Sequence, residues 1–307
     1  MAEKKSRDRT WTVLELLQWT TEHLADQGID TARLDAELLL AHALATDRLD
    51  LYVNYEKPVL PAERAIYREL VIKRAQQRVP VSQLLGEREF WSLRFSVNGD
   101  VLTPRPETEV LVAAALDAMS ELDRAYRVLD VGTGSGAIAL AIASERPKAH
   151  LTASDVSISA LKVARVNADQ LQLKDRVRFV EGSLFAAVPG ETFDLVIANP
   201  PYVARSERAA LPPELSHEPE IALFGGEDGY AVLRPLVVQV GTALNEGGLF
   251  LVELDPRQAD TVMSWCREAG LADVSVLHDL AGRARAVSAR RVRVIDEERQ
   301  PETTTGA

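Results

Sequence analysis

The sequence predicts an α/β protein: a mostly parallel sheet with an antiparallel last strand, preceded by a small all-helical N-terminal domain. Three observations predict it. From residue 126 short apolar runs alternate with helix-like stretches, a glycine-rich loop joins the first run to the helix after it, and the first 80 residues carry helical spacing throughout. Strands alternating with helices argue for parallel pairing through right-handed crossovers.

The elements follow in order. In TVLELLQWTTEHLADQG the residues Val13, Leu16, Leu17, Thr20 and Leu24 recur at helical spacing, and Gly28 is the stop. DTARLDAELLLAHALATD is expected to start on Asp30 as N-cap and to bury Leu34, Leu38, Leu39 and Ala41. PAERAIYRELVIKRAQQRV begins with Pro61 in the first helical turn, where a missing N–H costs little. LLGEREFWSLRFSVNGDVLTP alternates and breaks as a short hairpin or extended connector. Then RVLDV, HLTAS, VRFVE, FDLVIA and GGLFLVEL read as strands, with SGAIALAIASE, SALKVARVNADQ and GYAVLRPLVVQVGTALN as helices between most of them. LADVSVLHD and ARAVSARR add two strands whose connection, DLAGR, is too short for a helical crossover, so this pair is expected to be antiparallel. The boundaries are a helical domain over 1–83, a hairpin linker over 84–103, a sheet domain over 104–291 and a disordered tail over 292–307.

Composition narrows the class. A chain of 307 residues with 46% hydrophobic and 26% charged residues suits a soluble protein of one large and one smaller domain. No run approaches the roughly 18 apolar residues of a membrane span, and MAEKKSRDRT lacks a secretory apolar segment, so a cytoplasmic location is expected. The single cysteine, Cys266, excludes intramolecular disulfides and cysteine-rich metal sites and reads as a small buried residue on a helix. The five histidines are scattered and no metal site is expected. A net charge of −11 weighs against a partner gripped through its phosphates, so no direct nucleic-acid binding is expected.

Two segments carry chemistry. RVLDVGTGSGAIALAIA sets Gly132, Gly134 and Gly136 between a strand and a helix, where glycine permits a tight turn and lets a ligand lie near the backbone. Asp155 ends the next strand, where a carboxylate accepts from both hydroxyls of a ribose. The spacing is G-x-G-x-G with Asp130 two residues ahead, unlike a dinucleotide fingerprint and without the Gly-Lys-Ser/Thr ending of a P-loop.

The second segment is Asn199-Pro200-Pro201-Tyr202. Neither proline has an N–H, and residues before proline are held extended. The Pro200 carbonyl is then an acceptor on a stiff scaffold, and the Asn199 amide oxygen is a second. Together they match the two donors of a planar NH2, with Tyr202 offering an aromatic face. The plainer alternative is a rigid turn that only ends a strand.

The D-x-G-x-G-x-G loop resembles motif I of the class I S-adenosylmethionine-dependent methyltransferases, which have a Rossmann-like fold. Together with LLGEREFW, TPRPETE, SDVSISALKVARVNA, NPPYV, EPEIALFGGEDG and DLAGRARAVSARR, the chain from roughly 12 to 291 resembles the release factor glutamine methyltransferases (HemK/PrmC). The resemblance implies a helical domain that recognises the protein substrate and a catalytic domain that takes S-adenosyl-L-methionine. It implies methylation of the side-chain amide nitrogen of the Gly-Gly-Gln glutamine in class-1 peptide-chain release factors, by a monomer. Asp130, Gly132, Thr133, Gly134, Ser135 and Gly136 would hold the methionine end of the cofactor, Asp155 the ribose, and Ser183 and Leu184 would sit beside the adenine. Asn199 would touch cofactor and substrate, Pro200, Pro201 and Tyr202 would line the glutamine site, with Asn199, Pro200 and Tyr202 catalytic. Arg105-Pro106-Glu107 is expected to close over the cofactor or to start a helix over 107–119. Family members often carry an acid and an aromatic at 183 and 184, a loss for which Phe185 would substitute in part, and a glycine at Asp255. The competing substrates are a ribosomal-protein glutamine and an amino group of a nucleic acid, the latter disfavoured by the acidic balance.

Overall fold

The computed structural model describes residues 10–279 and 281–292; the tail expected over 292–307 lies, from 293 on, outside the described residues. The chain divides into two compact units. The first comprises Met1–Glu87, Val97–Gly99 and Leu211–Glu218, and the second the remainder.

In the first unit β1 (Trp11–Thr12) leads into α1 (Val13–Asp26), α2 (Ala32–Ala43) and α3 (Arg48–Val53). Next come β2 (Pro58–Val59), which pairs antiparallel with β1, then α4 (Pro61–Gln77) and α5 (Val81–Leu85). Thr12 and Glu15 form a capping box that satisfies two otherwise unpaired N–H groups at the start of α1. The helix buries Val13, Leu16, Leu17, Thr20 and Leu24, as the spacing requires, and ends before Gly28. Helix α2 departs from expectation. Thr31, not Asp30, is its N-cap, without a side-chain cap bond. Leu34 is exposed and Leu38 half-buried, because the inward stripe runs through Ala32, Ala36, Leu39, Leu40 and Ala43. Pro61 opens α4 as expected.

Buried charge ties the unit together. Arg74 Nε donates to Asp35 Oδ2 and its Nη1 to Glu214 Oε1, both at 2.7 Å. Glu214 comes from Leu211–Glu218, whose His217 carbonyl also accepts from Gln83 Nε2 at 2.9 Å. Removing one partner of such a pair strands a desolvated charge, at a cost of about 3–5 kcal/mol.

The second unit starts with a hairpin, β3 (Glu87–Phe90) and β4 (Leu93–Ser96), turned by Trp91 and Ser92 at φ 52° and 56°. Trp91 N–H donates to Glu109 Oε1 at 2.9 Å, so the hairpin turn is held by the last acid of TPRPETE. A 3-10 turn, Pro106–Thr108, precedes α6 (Glu109–Ala118), so the α-helix starts two residues later than the expected 107. Then follow β5 (Arg127–Val131), α7 (Ala137–Glu145), β6 (His150–Asp155), α8 (Ile158–Gln170), β7 (Val177–Glu181) and β8 (Phe193–Ala198). The chain continues through α9 (Glu220–Leu223), α10 (Leu233–Ala243), β9 (Leu244–Glu253), α11 (Ala259–Glu268), β10 (Leu271–His278) and β11 (Ala284–Arg291). Strand β9 begins earlier than its apolar run, at Leu244, because it pairs from there with Phe193.

The sheet order is β10-β11-β9-β8-β5-β6-β7. Strands β5 to β9 are parallel, β11 runs antiparallel to β9, and β10 to β11, the pairing that the short DLAGR connection requires. One core cluster gathers Leu111, Ile138, Leu140 and Leu195, the other Leu129, Val196, Leu236, Phe250 and the fully buried Cys266. The order reverses at β5, flanked by β6 and β8, and ligands in open α/β sheets bind outside the carboxyl ends at such a point.

Candidate active site

Register places the site. Val131 pairs with Ser154 on one side and Ala198 on the other, and Ala198 pairs with Val252. The next residues, Gly132, Asp155, Asn199 and Glu253, therefore reach one edge of the sheet together. A cavity of about 310 Å³ opens there, lined by Gly132, Thr133, Gly134, Ser135, Asp155, Ser183, Leu184, Asn199, Pro200 and Pro201 among others. Asp130, Gly136 and Tyr202, from the same two segments, are not among its lining residues.

The glycine loop is shaped by its own bonds. Gly132, Gly134 and Gly136 sit at φ 74°, 56° and 83°, a region that costs a residue with Cβ about 1–2 kcal/mol. The amides of Gly132 and Thr133 both donate to the Ser154 carbonyl, Gly134 N–H donates to Asp155 Oδ2 at 2.8 Å, and Gly136 N–H to the Thr133 carbonyl. Four of the loop amides are thus committed internally. The loop is a preformed cradle, with open space where a Cβ on Gly132 or Gly134 would stand. Asn167 of α8 pins it, donating to the Ser135 carbonyl at 2.8 Å while its Oδ1 accepts from Ser96 N–H at 2.7 Å.

The two acids differ. Asp155 Oδ1 accepts from Ser157 N–H at 2.8 Å and its Oδ2 from Gly134, so the carboxylate is oriented and keeps lone pairs for further donors. Asp130 is fully buried, and its Oδ2 accepts from the Thr133 hydroxyl at 2.7 Å and from Ala139 N–H at 3.2 Å. Its Oδ1 has no partner among the described residues. Burial pushes the Asp130 carboxyl up to about 7, and the nearby Asp155 charge adds to the rise.

Asn199-Pro200-Pro201-Tyr202 follows β8 with its backbone braced from outside. Val203 N–H donates to the Leu223 carbonyl, and Gly225 N–H returns the bond to Val203. Gln258 Nε2 donates to the carbonyls of Tyr202 and Gly229, each at 3.2 Å, and its Oε1 accepts from Asp255 N–H. The glycines of LFGGEDG are required by closeness: a Cβ on Gly225 would lie 2.5 Å from the Pro201 carbonyl oxygen, and one on Gly229 2.4 Å from that of Tyr202. Asp255 caps the 3-10 turn Pro256–Gln258 and so sets Gln258.

Behind the turn lies a polar cluster that sequence reasoning missed. Asn199 Nδ2 donates to Thr108 Oγ1 at 3.2 Å, and the Tyr202 hydroxyl donates to Glu253 Oε1 at 3.2 Å. Tyr202 packs on the second core cluster, and burial followed by the Glu253 charge raises its phenol. Glu253 is 1% exposed. Burial raises its carboxyl to about 6, although the hydroxyls of Thr108 and Tyr202 and the charge of Arg285 favour the ionised form. The signal for Glu253 was present, an acid ending an otherwise apolar strand, and so was that for Thr108, inside TPRPETE.

Leu184 lines the cavity at φ 49°, an uncommon conformation for a residue with Cβ. Phe185 is buried in the second core cluster and does not line the cavity, so it cannot stand in for an aromatic at 184. Pro104, Arg105 and Thr108 also line the cavity, Thr108 from the 3-10 turn and Arg105 as its N-cap.

The chain is similar to known proteins over most of its length. A family model described as PrmC N-terminal domain matches residues 15–86, and one described as Methyltransferase small domain matches residues 108–218. A release factor glutamine methyltransferase from Rhodopirellula baltica is 42% identical over 297 residues, covering 95% of this chain and 100% of the relative. One from Cereibacter sphaeroides is 44% identical over 277 residues, covering 90% and 97%. Among solved structures, the hMettl16 catalytic domain in complex with MAT2A 3'UTR hairpin 6 superposes with a TM-score of 0.53 at 16% identity, over 78% of this chain and 86% of that one, a likeness of fold alone.

Proposed function

The chain belongs to the release factor glutamine methyltransferase family, and from that membership we propose that it methylates the side-chain amide nitrogen of the Gly-Gly-Gln glutamine in class-1 peptide-chain release factors. The methyl donor is S-adenosyl-L-methionine. One observation carries the reading: a single cavity is lined both by the glycine loop with Asp155 and by Asn199 with Pro200.

The residues fit such a donor. Asp130 Oδ1 is buried beside the loop without a partner among the described residues, Gly132 and Gly134 leave the cradle open, and Asp155 is held by two N–H bonds with lone pairs to spare. Asp130 and the loop would take the amino-acid end of the cofactor and Asp155 its ribose. Leu184 and Ser183 would flank the base. When bound, the cofactor supplies a methyl group made electrophilic by its sulfonium.

The chain's own work is on the amide. An amide nitrogen is a poor nucleophile because its lone pair is delocalised into the carbonyl. Asn199 Oδ1 and the Pro200 carbonyl would accept its two hydrogens, holding the nitrogen in line, a positional effect worth several kcal/mol. The same acceptors stabilise the positive charge that develops on nitrogen during transfer. Pro200 and Pro201 bring no N–H that would compete for these acceptors. Tyr202 shapes the turn through Glu253 and the second core. The helical unit would recognise the release factor.

The test is incubation with radiolabelled S-adenosylmethionine and purified release factor, native and with Gln→Ala in its Gly-Gly-Gln motif. Label on the native factor alone is expected. Label on a ribosomal protein or a nucleic acid in place of the factor would reassign the substrate.

A further inference from the structure

We propose that Thr108 and Glu253 are positioning residues that fix which way the Asn199 amide faces, through one hydrogen-bond chain with a set direction. The proposal rests on the reading of Asn199 as the acceptor for the substrate amide.

An asparagine has two ends of nearly equal shape and opposite hydrogen-bonding character, so its use as an acceptor requires something that tells them apart. Here that something is Thr108. Its Oγ1 lies 3.2 Å from Asn199 Nδ2 and accepts from it, which turns Asn199 Oδ1 the other way. A threonine hydroxyl, however, can also donate, and a donating Thr108 would attract the amide oxygen and present the NH2 to the substrate. Two NH2 groups face to face repel. The direction must therefore be set by whatever takes the Thr108 hydrogen.

Glu253 is placed to take it. Sheet register brings it level with Asn199, its Oε1 accepts from the Tyr202 hydroxyl, and its Oε2 is buried without a partner among the described residues. The structure forms no bond to that second oxygen among the described residues, so it is free to take the Thr108 hydrogen, and the Thr108 hydroxyl favours the ionised carboxylate. An ionised carboxylate can only accept, so both hydroxyls must point at it. The order then runs Asn199 N–H to Thr108, Thr108 O–H to Glu253, and Tyr202 O–H to Glu253. Burying a carboxylate at the end of a core strand is costly, and among the described residues no cation bonds to it directly. Its use is to impose direction.

The charged groups around Glu253 are Arg285 from β11, which favours ionisation, and Glu107 from the 3-10 turn, which opposes it; Tyr202 and Thr108 complete the surroundings. Burial wins and holds the carboxyl near 6. Above that pH Glu253 is an obligate acceptor; below it the acid can donate to Thr108 and reverse the chain.

Three variants are read by kcat and KM against pH on native release factor, with affinity for a Gly-Gly-Gln peptide measured in the presence of S-adenosylhomocysteine. Glu253→Gln keeps the shape but can donate to Thr108. Its kcat at pH 8 should fall about 100-fold, the scale for losing a preorganised contact to developing charge, its peptide affinity should fall, and the acid limb near pH 6 should vanish. Thr108→Val should lose about as much, and Thr108→Ser, which keeps the hydroxyl, should stay within about threefold of the native enzyme. The proposal is overturned if Glu253→Gln retains kcat within threefold, or keeps the acid limb, or if Thr108→Ser is as damaged as Thr108→Val. Should Glu253→Gln not fold, the Val and Ser pair decides. A native enzyme that does not label release factor overturns the functional reading beneath the proposal, and is told apart by needing no variant.

Discussion

Replacing Gly229 by alanine tests whether the turn after β8 is held in place from behind. Gly229 sits at φ 84°, and an added Cβ would stand 2.4 Å from the Tyr202 carbonyl oxygen and 3.0 Å from Gln258 Nε2. An ordinary contact begins near 3.4 Å, so the two backbones must separate by 3.4 − 2.4 = 1.0 Å, and neither is a flexible side-chain end. The left-handed conformation costs alanine about 1 kcal/mol, and forced overpacking about 1–3 more. A loss of about 2–4 kcal/mol lowers the melting temperature of a domain of this size by about 5–15 °C. The Tyr202 carbonyl is also one of the two that Gln258 holds, so the shift reaches Asn199 and Pro200 through two peptide units. A 1 Å misplacement of a positioning group costs about 100-fold in rate. Gly190→Ala is the control: φ is 73° there too, but nothing lies within 4 Å of its Cβ position. Thermal melts and label transfer below the melting range are the assays. Gly229→Ala that melts with Gly190→Ala and turns over within twofold of native enzyme would refute the argument.

Three further outcomes are expected. Asn199→Ala should abolish methyl transfer while cofactor affinity, read by calorimetry, stays largely in place; near-normal turnover would sink the amide-clamp mechanism. Asp155→Ala should weaken cofactor binding by about 10- to 100-fold, the loss of a charge-assisted pair of bonds, and an unchanged dissociation constant would refute the ribose assignment. Asp130→Asn concerns pH. A buried carboxyl at about 7, against an ordinary value of 3.8, keeps its proton in the folded state while the unfolded state has lost it. Native stability without ligand should therefore be greatest below pH 4 as far as this group is concerned, fall as pH rises to about 7, and level off above. The neutral variant lacks that fall, so its stability relative to native should rise from pH 5 to pH 8, as denaturant melts would read. A constant difference would refute the assignment.

What could be read from the sequence was what depends on local pattern. The seven strands of the large sheet, the antiparallel last pair, Pro61 at a helix start and the inward stripe of α1 all follow from spacing and from what proline and glycine forbid. So did the gathering of the glycine loop, Asp155 and Asn199, because each lies at or just past the end of a parallel strand. What escaped depends on partners far along the chain. Leu34 looked inward by composition, but the α2 stripe is set by what α1 and α4 cover. Nothing local marks Leu211–Glu218 as part of the helical unit, since its tie is the bond from Arg74 to Glu214, 140 residues apart. Phe185 could be counted as a cavity aromatic only until the 3-10 turn Leu184–Ala187 placed it in the core. Thr108 and Glu253 were visible as residue types, yet Glu253 stands level with Asn199 only once β8 and β9 are in register, and Thr108 reaches Asn199 only through a bond that spans 91 residues.

That register is itself a reason for the double proline. Leu195, Val196, Ile197 and Ala198 are all buried to within 1%, because β8 lies mid-sheet with both faces covered. In a strand with one wet face, a one-residue slip would put apolar side chains into water and be rejected. Here both faces are dry, so alternation does not discriminate, and the pairing must be fixed at the strand's end. Pro200 and Pro201 fix it: neither can donate to a ladder, so the strand cannot extend past Asn199. A slip of one residue forward would need a proline to take a paired position. The residues that leave two acceptors without competing N–H groups thus also stop the strand where Asn199 stands level with Gly132, Asp155 and Glu253. The substitution Pro200→Ala would keep both acceptors but add an N–H at the first position past Asn199, able to pair. Its cost should show as heterogeneous β8 register in amide exchange, with faster exchange at Leu195 to Ala198 than in the native enzyme, and equal protection there would refute the register role.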